Sequence, residues 1–263
     1  ISEPFNTKVM LDILSITSPI YLVILIGFAM TRVGIFAKTD MRVLGRFVFN
    51  LAVPALLFRA LSQRQIGEIL NPGYLLAYLA GSLIVIAAGY SWCRRVSGLS
   101  KTTSAIHAMG MACSNSGYVG YPILLLTFAP VAGVSLALNM IVENLVVIPL
   151  LLFLAEGDRG GDGRWRVLRK SLLRLLTNPL IIGLAAGLSV SVFGWSLPAP
   201  LTRTVDMLAS TCSGLALVVV GGTLVGLPLR GMGAQIVPII FGKLILLPLA
   251  VLLAFIGLSW LGM

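Results

Sequence analysis

Nine consecutive residues, Ser114 to Pro122 (SNSGYVGYP), have side chains and backbone that could hold a solute, in a place where solutes are rarely held. They include two serines, an asparagine, two glycines and a proline, inside an otherwise apolar stretch from about 103 to 127. Proline lacks an amide N–H, and its ring collides with the turn before it. Each glycine weakens a helix interior by about 1 kcal/mol. Backbone freed in this way at membrane depth persists only where protein or a water-filled cavity satisfies it. The run therefore predicts a broken helix, with halves at about 103–114 and 122–129 and residues 115–121 irregular. Pro122 would open the second half. The unpaired N–H groups there, at the positive end of a helix dipole, suit an anion or a carbonyl oxygen. Asn115 and Ser116 would add side-chain hydrogen bonds, with Gly117, Tyr118 and Gly120 lining the same gap. The plainer alternative is a proline kink absorbed by neighbouring helices. A single proline would favour that alternative; nine such residues in a row favour a binding site.

Asn50 and Pro54, in FNLAVPALLF, repeat the pattern more mildly. Asn50 is either a second polar contributor to the site or a hydrogen bond between helices beside a simple kink. Two ionisable residues lie deep in apolar stretches. Glu143, in NMIVENLVVIP, is flanked by Asn139 and Asn144; Lys243, in IIFGKLILLP, stands about nine residues, or ~13 Å, into its stretch. A charge at that depth costs at least ~2.5 kcal/mol, so it faces a cavity or a partner. The functional readings are substrate binding by Lys243, and gating or proton relay through Glu143 with Asn139. The structural readings are a Glu143–Lys243 pair or a Lys243 that snorkels. His107 is the sole histidine and cannot make a metal site alone. A packed or hydrogen-bonded role comes first for it, and proton-sensitive gating second.

The elements that would position these residues are membrane helices. The chain has 263 residues, of which 58% are hydrophobic and 11% charged, with a mean hydropathy of +1.01. That leaves too little polar material to coat a soluble core of this size. A spanning helix needs about 20 mostly apolar residues. Eight such stretches are expected, at 13–31, 43–61, 72–92, 103–127, 131–155, 177–195, 204–225 and 234–257. The net charge of +10 is unevenly distributed. Fourteen of the nineteen Lys and Arg follow spans one, three, five and seven, so those loops are cytoplasmic and the N-terminus lies outside. The basic excess is thus topology, and no compact basic surface for nucleic acid remains. Cys93, Cys113 and Cys212 show neither metal spacing nor a disulfide framework, so no metal or cofactor is expected. Residues 1–12 read as an extracytoplasmic extension without a signal-peptide pattern. The Gly- and Asp-rich segment 156–176 reads as a cytoplasmic linker and not a phosphate loop, because no Gly-Lys-Ser/Thr follows.

An internal repeat ties the spans together. Shifted by 160 residues, Thr17–Ile20 (TSPI) falls on Thr177–Leu180 (TNPL) and Gly27 on Gly187, while Pro54 falls on Gly214 in the second span of each half. Five spans separate the copies, an odd number, so the second copy is inverted. Inverted repeats are a transporter architecture with the site near the midplane. The domains are then 13–155, a first five-helix repeat, and 177–263, the first three helices of the second. Two further spans would complete it beyond Met263.

FVFNLAVPALLF, SNSGYVGYPILL and the fifth-span run ending LLLFLAE resemble the auxin efflux carrier family, which includes bacterial malonate-type permeases and, more distantly, plant auxin exporters. The resemblance covers essentially the whole chain in segment order. It implies an all-α membrane fold of two inverted five-helix repeats, related to bile-acid sodium symporters, with a broken crossover helix. Spans one, two, six and seven would form a scaffold, often dimeric, and the substrate would bind where broken helices cross, marked here by Asn115 and Pro122. Where this chain has Glu143, the plant exporters carry a glutamine. The function expected is secondary transport, by alternating access, of a small organic anion such as a mono- or dicarboxylate, in the plasma (bacterial inner) membrane. A receptor or regulatory module on the same fold is the main rival. An intramembrane enzyme ranks third, since no spacing of Ser, His and carboxylates specifies a catalytic group.

Overall fold

The computed structural model describes residues 7–69, 71–155, 169, 173, 175–227 and 233–260, and the regular structure among them is helical. The helices are α1 (Thr7–Arg32), α2 (Lys38–Phe47), α3 (Val53–Ser62), α4 (Ile66–Ile69), α5 (Pro72–Arg95), α6 (Lys101–Ala112), α7 (Tyr121–Thr127), α8 (Ala129–Val142), α9 (Ile148–Ala155), α10 (Pro179–Phe193), α11 (Ala199–Leu224), α12 (Gly233–Phe241) and α13 (Leu247–Trp260). Each expected span has a helical counterpart. Spans two, three, five, seven and eight are long and apolar enough to cross a bilayer. Apolar parts of spans one and six are shorter, and span four is interrupted. Residues 7–12, read as part of an extension, are already helical. Most of the expected linker, 156–176, lies outside the described residues.

Spans two, four, five and eight stay continuous past a proline by the same device. Each contains a π turn, at Val48–Ala52, Ser116–Gly120, Glu143–Val147 and Gly242–Leu246, and each turn ends two residues before a proline: Pro54, Pro122, Pro149 and Pro248. A proline leaves the carbonyl four residues back without a donor and presses its ring against it. The widened turn relieves that clash. The N–H of the preceding residue (Val53, Tyr121, Ile148 or Leu247) reaches five residues back, to the carbonyl of Val48, Ser116, Glu143 or Gly242. Such turns are rare and occur often at functional sites. Glu143 and Lys243 both lie inside one.

The chain forms two compact units. Unit 1 combines Ile1–Gln63, Asn115–Leu136 and Gly183–Pro228; unit 2 combines Arg64–Ser114, Ala137–Ile182 and Leu229–Met263. In unit 1, α1 lies along α11 and α11 along α3, around a core that includes Met41, Leu56, Leu57 and Leu61. Helices approach this closely only through small residues. A Cβ on Gly27 would strike the Val218 backbone, and one on Gly187 would strike the Phe58 backbone. In unit 2, α5 packs between α6 and α13, with Gly81 against the backbone of Val251. Its core includes Val85, Ile86, Met111 and Leu151.

The glycine contacts make a direct prediction. Gly27→Leu and Gly187→Leu force a side chain onto backbone, which cannot move aside, so the cost lies at or above the usual ~1–3 kcal/mol of overpacking. Each should lower the thermal unfolding midpoint of the purified protein by ~5 °C or more. Gly214→Leu, where a Cβ would meet nothing within 4 Å, should leave it nearly unchanged.

Candidate functional site: the break in the fourth span

Helix α6 is capped at its start by Ser100, whose hydroxyl accepts from the Thr103 N–H at 3.1 Å, and it ends at Ala112. The chain then turns out of helical geometry. Cys113 is extended (φ −85°, ψ 114°) and Asn115 lies outside the helical region (φ −88°, ψ 59°). The Asn115 carbonyl restarts the ladder by accepting from both Val119 N–H at 3.1 Å and Gly120 N–H at 2.9 Å. From Ser116 the π turn runs directly into α7.

Span four breaks, but earlier than its sequence predicts. Only Cys113–Asn115 is irregular, whereas residues 116–121, expected to be irregular, are helical. Pro122 does not open the second half, because the π turn absorbs it and the half begins at Ser116. Neither Gly117 nor Gly120 has a positive φ, so both are helical residues, not turn-formers. The first turn of the second half is therefore Ser116 to Gly120 and not the turn that begins at Pro122.

Unit 2 holds the polar groups around the first half of the break. Glu143 is 5% exposed, and its Oε1 accepts from the Tyr78 hydroxyl at 2.6 Å, the Ser114 hydroxyl at 2.9 Å and the Ser114 N–H at 3.2 Å. The carboxyl therefore grips the last residue of unit 2 before the chain passes to unit 1 at Asn115. Beside it, Tyr74 stacks on Tyr78 and donates to Asn139 Oδ1 at 2.8 Å. Asn144, also buried, donates to the Met140 carbonyl and accepts from Asn178. Among the described residues, no ion pair joins Glu143 to Lys243, so the structural pairing considered for them does not form. Lys243 is half-buried, and its charge and that of Glu143 both act on Cys113 at the break. His107 sits half-buried on α6.

Unit 1 holds the second half. Ser116 and Gly117 are buried, Asn115 is exposed, and the Asn115 side chain does not cap its helix. The Tyr118 hydroxyl donates to the Gly45 carbonyl of α2 at 3.1 Å, which ties this half to span two. Asn50 is exposed and donates to the Arg46 carbonyl of its own helix, so its bond is local and not interhelical. Tyr74 and Tyr78 were absent from the sequence-derived site, which included Ser114 only as the first residue of the SNSGYVGYP run. Their available signal was two tyrosines one turn apart on α5, a spacing that places both on one face.

A family model described as "membrane transport protein" matches residues 13–261. The chain belongs to that family. This confirms the resemblance to auxin efflux carriers drawn from the motifs. As a member, the chain is a multi-pass membrane transport protein. It is similar to a protein of Rhizobium meliloti (strain 1021) provisionally named a malonate transporter, with 26% identity over 93% of this chain and 77% of that one. It is equally similar, at 26% identity over 89% of this chain and 76% of the other, to the uncharacterized transporter YfdV of Escherichia coli (strain K12). An uncharacterized transporter of Methanothermobacter thermautotrophicus is 24% identical over 71% of this chain and 59% of its own length.

Proposed function

We propose that this protein is a secondary transporter moving a small organic carboxylate by alternating access, with its N-terminus outside the plasma (bacterial inner) membrane. The observation that carries the reading is the break at Cys113–Asn115, which the buried Glu143 grips and which the Lys243 charge reaches. A helix broken inside a membrane presents backbone donors to a solute, and a nearby cation favours an anionic one. The substrate contacts assigned are Asn115, Ser116, Gly117, Tyr118, Gly120 and Lys243, with Asn50 and Pro122 shaping the helices that carry them. Glu143 and Asn139 gate the site or couple it to protons, with His107 in a secondary role. The name of the R. meliloti relative supports a carboxylate.

The glycine contacts support an inverted repeat. Gly27 against Val218 and Gly187 against Phe58 are the same pair displaced by 160 residues, the offset found in the sequence. The helix pair of spans one and seven thus has a counterpart in spans six and two, as two copies of one motif would. A homodimer through spans one, two, six and seven belongs to the same reading.

The test is uptake of radiolabelled malonate into proteoliposomes. Wild type should accumulate it. Lys243→Ala should raise the apparent KM about tenfold or more, with Lys243→Arg retaining most of the affinity. If both variants transport as wild type does, Lys243 does not bind substrate; if wild type moves no carboxylate, the substrate class is wrong.

A further inference from the structure

We propose a second binding site in unit 1, for the carboxylate of a small organic monoanion, centred on Arg59. A cavity of about 190 Å³ lies between the end of α3, the end of α10 and the start of α11, and Arg59, Ser62, Val190, Trp195, Thr202 and Asp206 help to line it. Its position on the chain, after span two and before span seven, makes it extracytoplasmic in the topology of the proposed function. It rests on that reading as an outer site for the same class of solute.

Arg59 is built in and not fully used. Its side chain is 27% exposed, and its guanidinium stands 3.7 Å from Asp206. A charge-assisted bond would close to about 2.7–2.9 Å, so Asp206 is a neighbour and not a clamp. Guanidinium offers five N–H donors in a planar fork that matches a carboxylate. The hydroxyls of Ser62 and Thr202 make bonds of 3.5 and 3.4 Å to carbonyls of their own chain segments, at the outer limit of hydrogen bonding. Those protons are easily redirected to a ligand. Thr202 also lies in the first turn of α11, a 26-residue helix whose positive dipole end faces the same space. Val190 and Trp195 supply an apolar wall for the ligand body.

Asp206 sets the charge of the ligand. A monoanion presents only the carboxylate that Arg59 takes, whereas the second carboxylate of a dianion meets no further cation among the residues that line the cavity and is repelled by Asp206. The site therefore takes a monocarboxylate, or a dicarboxylic acid in its half-protonated form, in preference to a dianion.

The test uses the purified protein carrying Lys243→Ala, so that binding at the broken helix is weakened about tenfold or more, with radiolabelled propionate and malonate as probes. Propionate should bind, and Arg59→Gln should weaken it tenfold or more. Asp206→Asn should tighten malonate binding at least fivefold, a gain that misfolding cannot imitate. The exchange Arg59→Asp with Asp206→Arg re-forms an ion pair in reverse and should still lose propionate. Propionate binding that survives this exchange, or that is indifferent to Arg59→Gln, shows a structural pair and overturns the site. Binding that follows the expected pattern in a protein that transports nothing would refute the transport reading and leave this site standing.

Discussion

Glu143→Ala is expected to cost the protein its fold, whereas Glu143→Gln is expected to keep the fold and change what drives transport. Alanine removes the acceptor shared by the Tyr78 hydroxyl, the Ser114 hydroxyl and the Ser114 N–H, and the two hydroxyls, 3.1 Å apart, can then satisfy only one of their two protons with each other. An unsatisfied buried donor costs about 1–3 kcal/mol, so the loss is about 2 kcal/mol. Set against a typical total stability of about 5–15 kcal/mol, that is a large part of the margin. Size-exclusion chromatography in detergent should show the alanine variant largely aggregated. Glutamine keeps an acceptor oxygen at the same reach, so its variant should run as wild type does. It cannot gain or lose a proton. If Glu143 couples transport to protons, the glutamine variant should still exchange labelled for unlabelled malonate, yet no longer accumulate it when a pH gradient is imposed. Accumulation at the wild-type level would confine Glu143 to holding the break.

Asn115→Ala should give a large functional effect with almost no structural one. The side chain is exposed and does not cap its helix, so its removal orphans nothing of that kind. The unfolding midpoint should stay within about 2 °C of wild type, as for ordinary surface changes. A hydrogen bond to a charged group contributes about 1.5–3 kcal/mol, equivalent to a rise in apparent KM of roughly ten- to hundredfold. Malonate uptake with an unchanged KM would remove Asn115 from the site. A drop in stability instead would show that its role is to shape the break.

The membrane helices and their approximate bounds were legible in the sequence because spanning is a one-dimensional requirement: about 20 apolar residues are either present or absent. The existence of a break in span four was legible for the same reason, since SNSGYVGYP disfavours a regular helix wherever it lies. The depth of Glu143 and Lys243 followed from their distance along an apolar run. The 160-residue offset was visible too, as Gly27 and Gly187, and the structure adds that each glycine closes on residues, Val218 and Phe58, separated by that same offset.

What only tertiary structure decided is where the broken backbone is satisfied. Pro122 looked like the start of a half-helix, but a π turn absorbs it as similar turns absorb Pro54, Pro149 and Pro248, moving the break to Cys113–Asn115. Glu143 and Lys243, of opposite charge and both inside apolar stretches, left a mutual ion pair open as one reading. Glu143 instead takes Tyr78 and Ser114, residues 65 and 29 positions away. Nothing in the sequence singled out Arg59 and Asp206, which three helix ends bring to one cavity. In each case the missing quantity was a distance between segments remote in sequence. Helix periodicity constrains which residues share a face, but the partner that a buried polar group finds depends on how the helices pack.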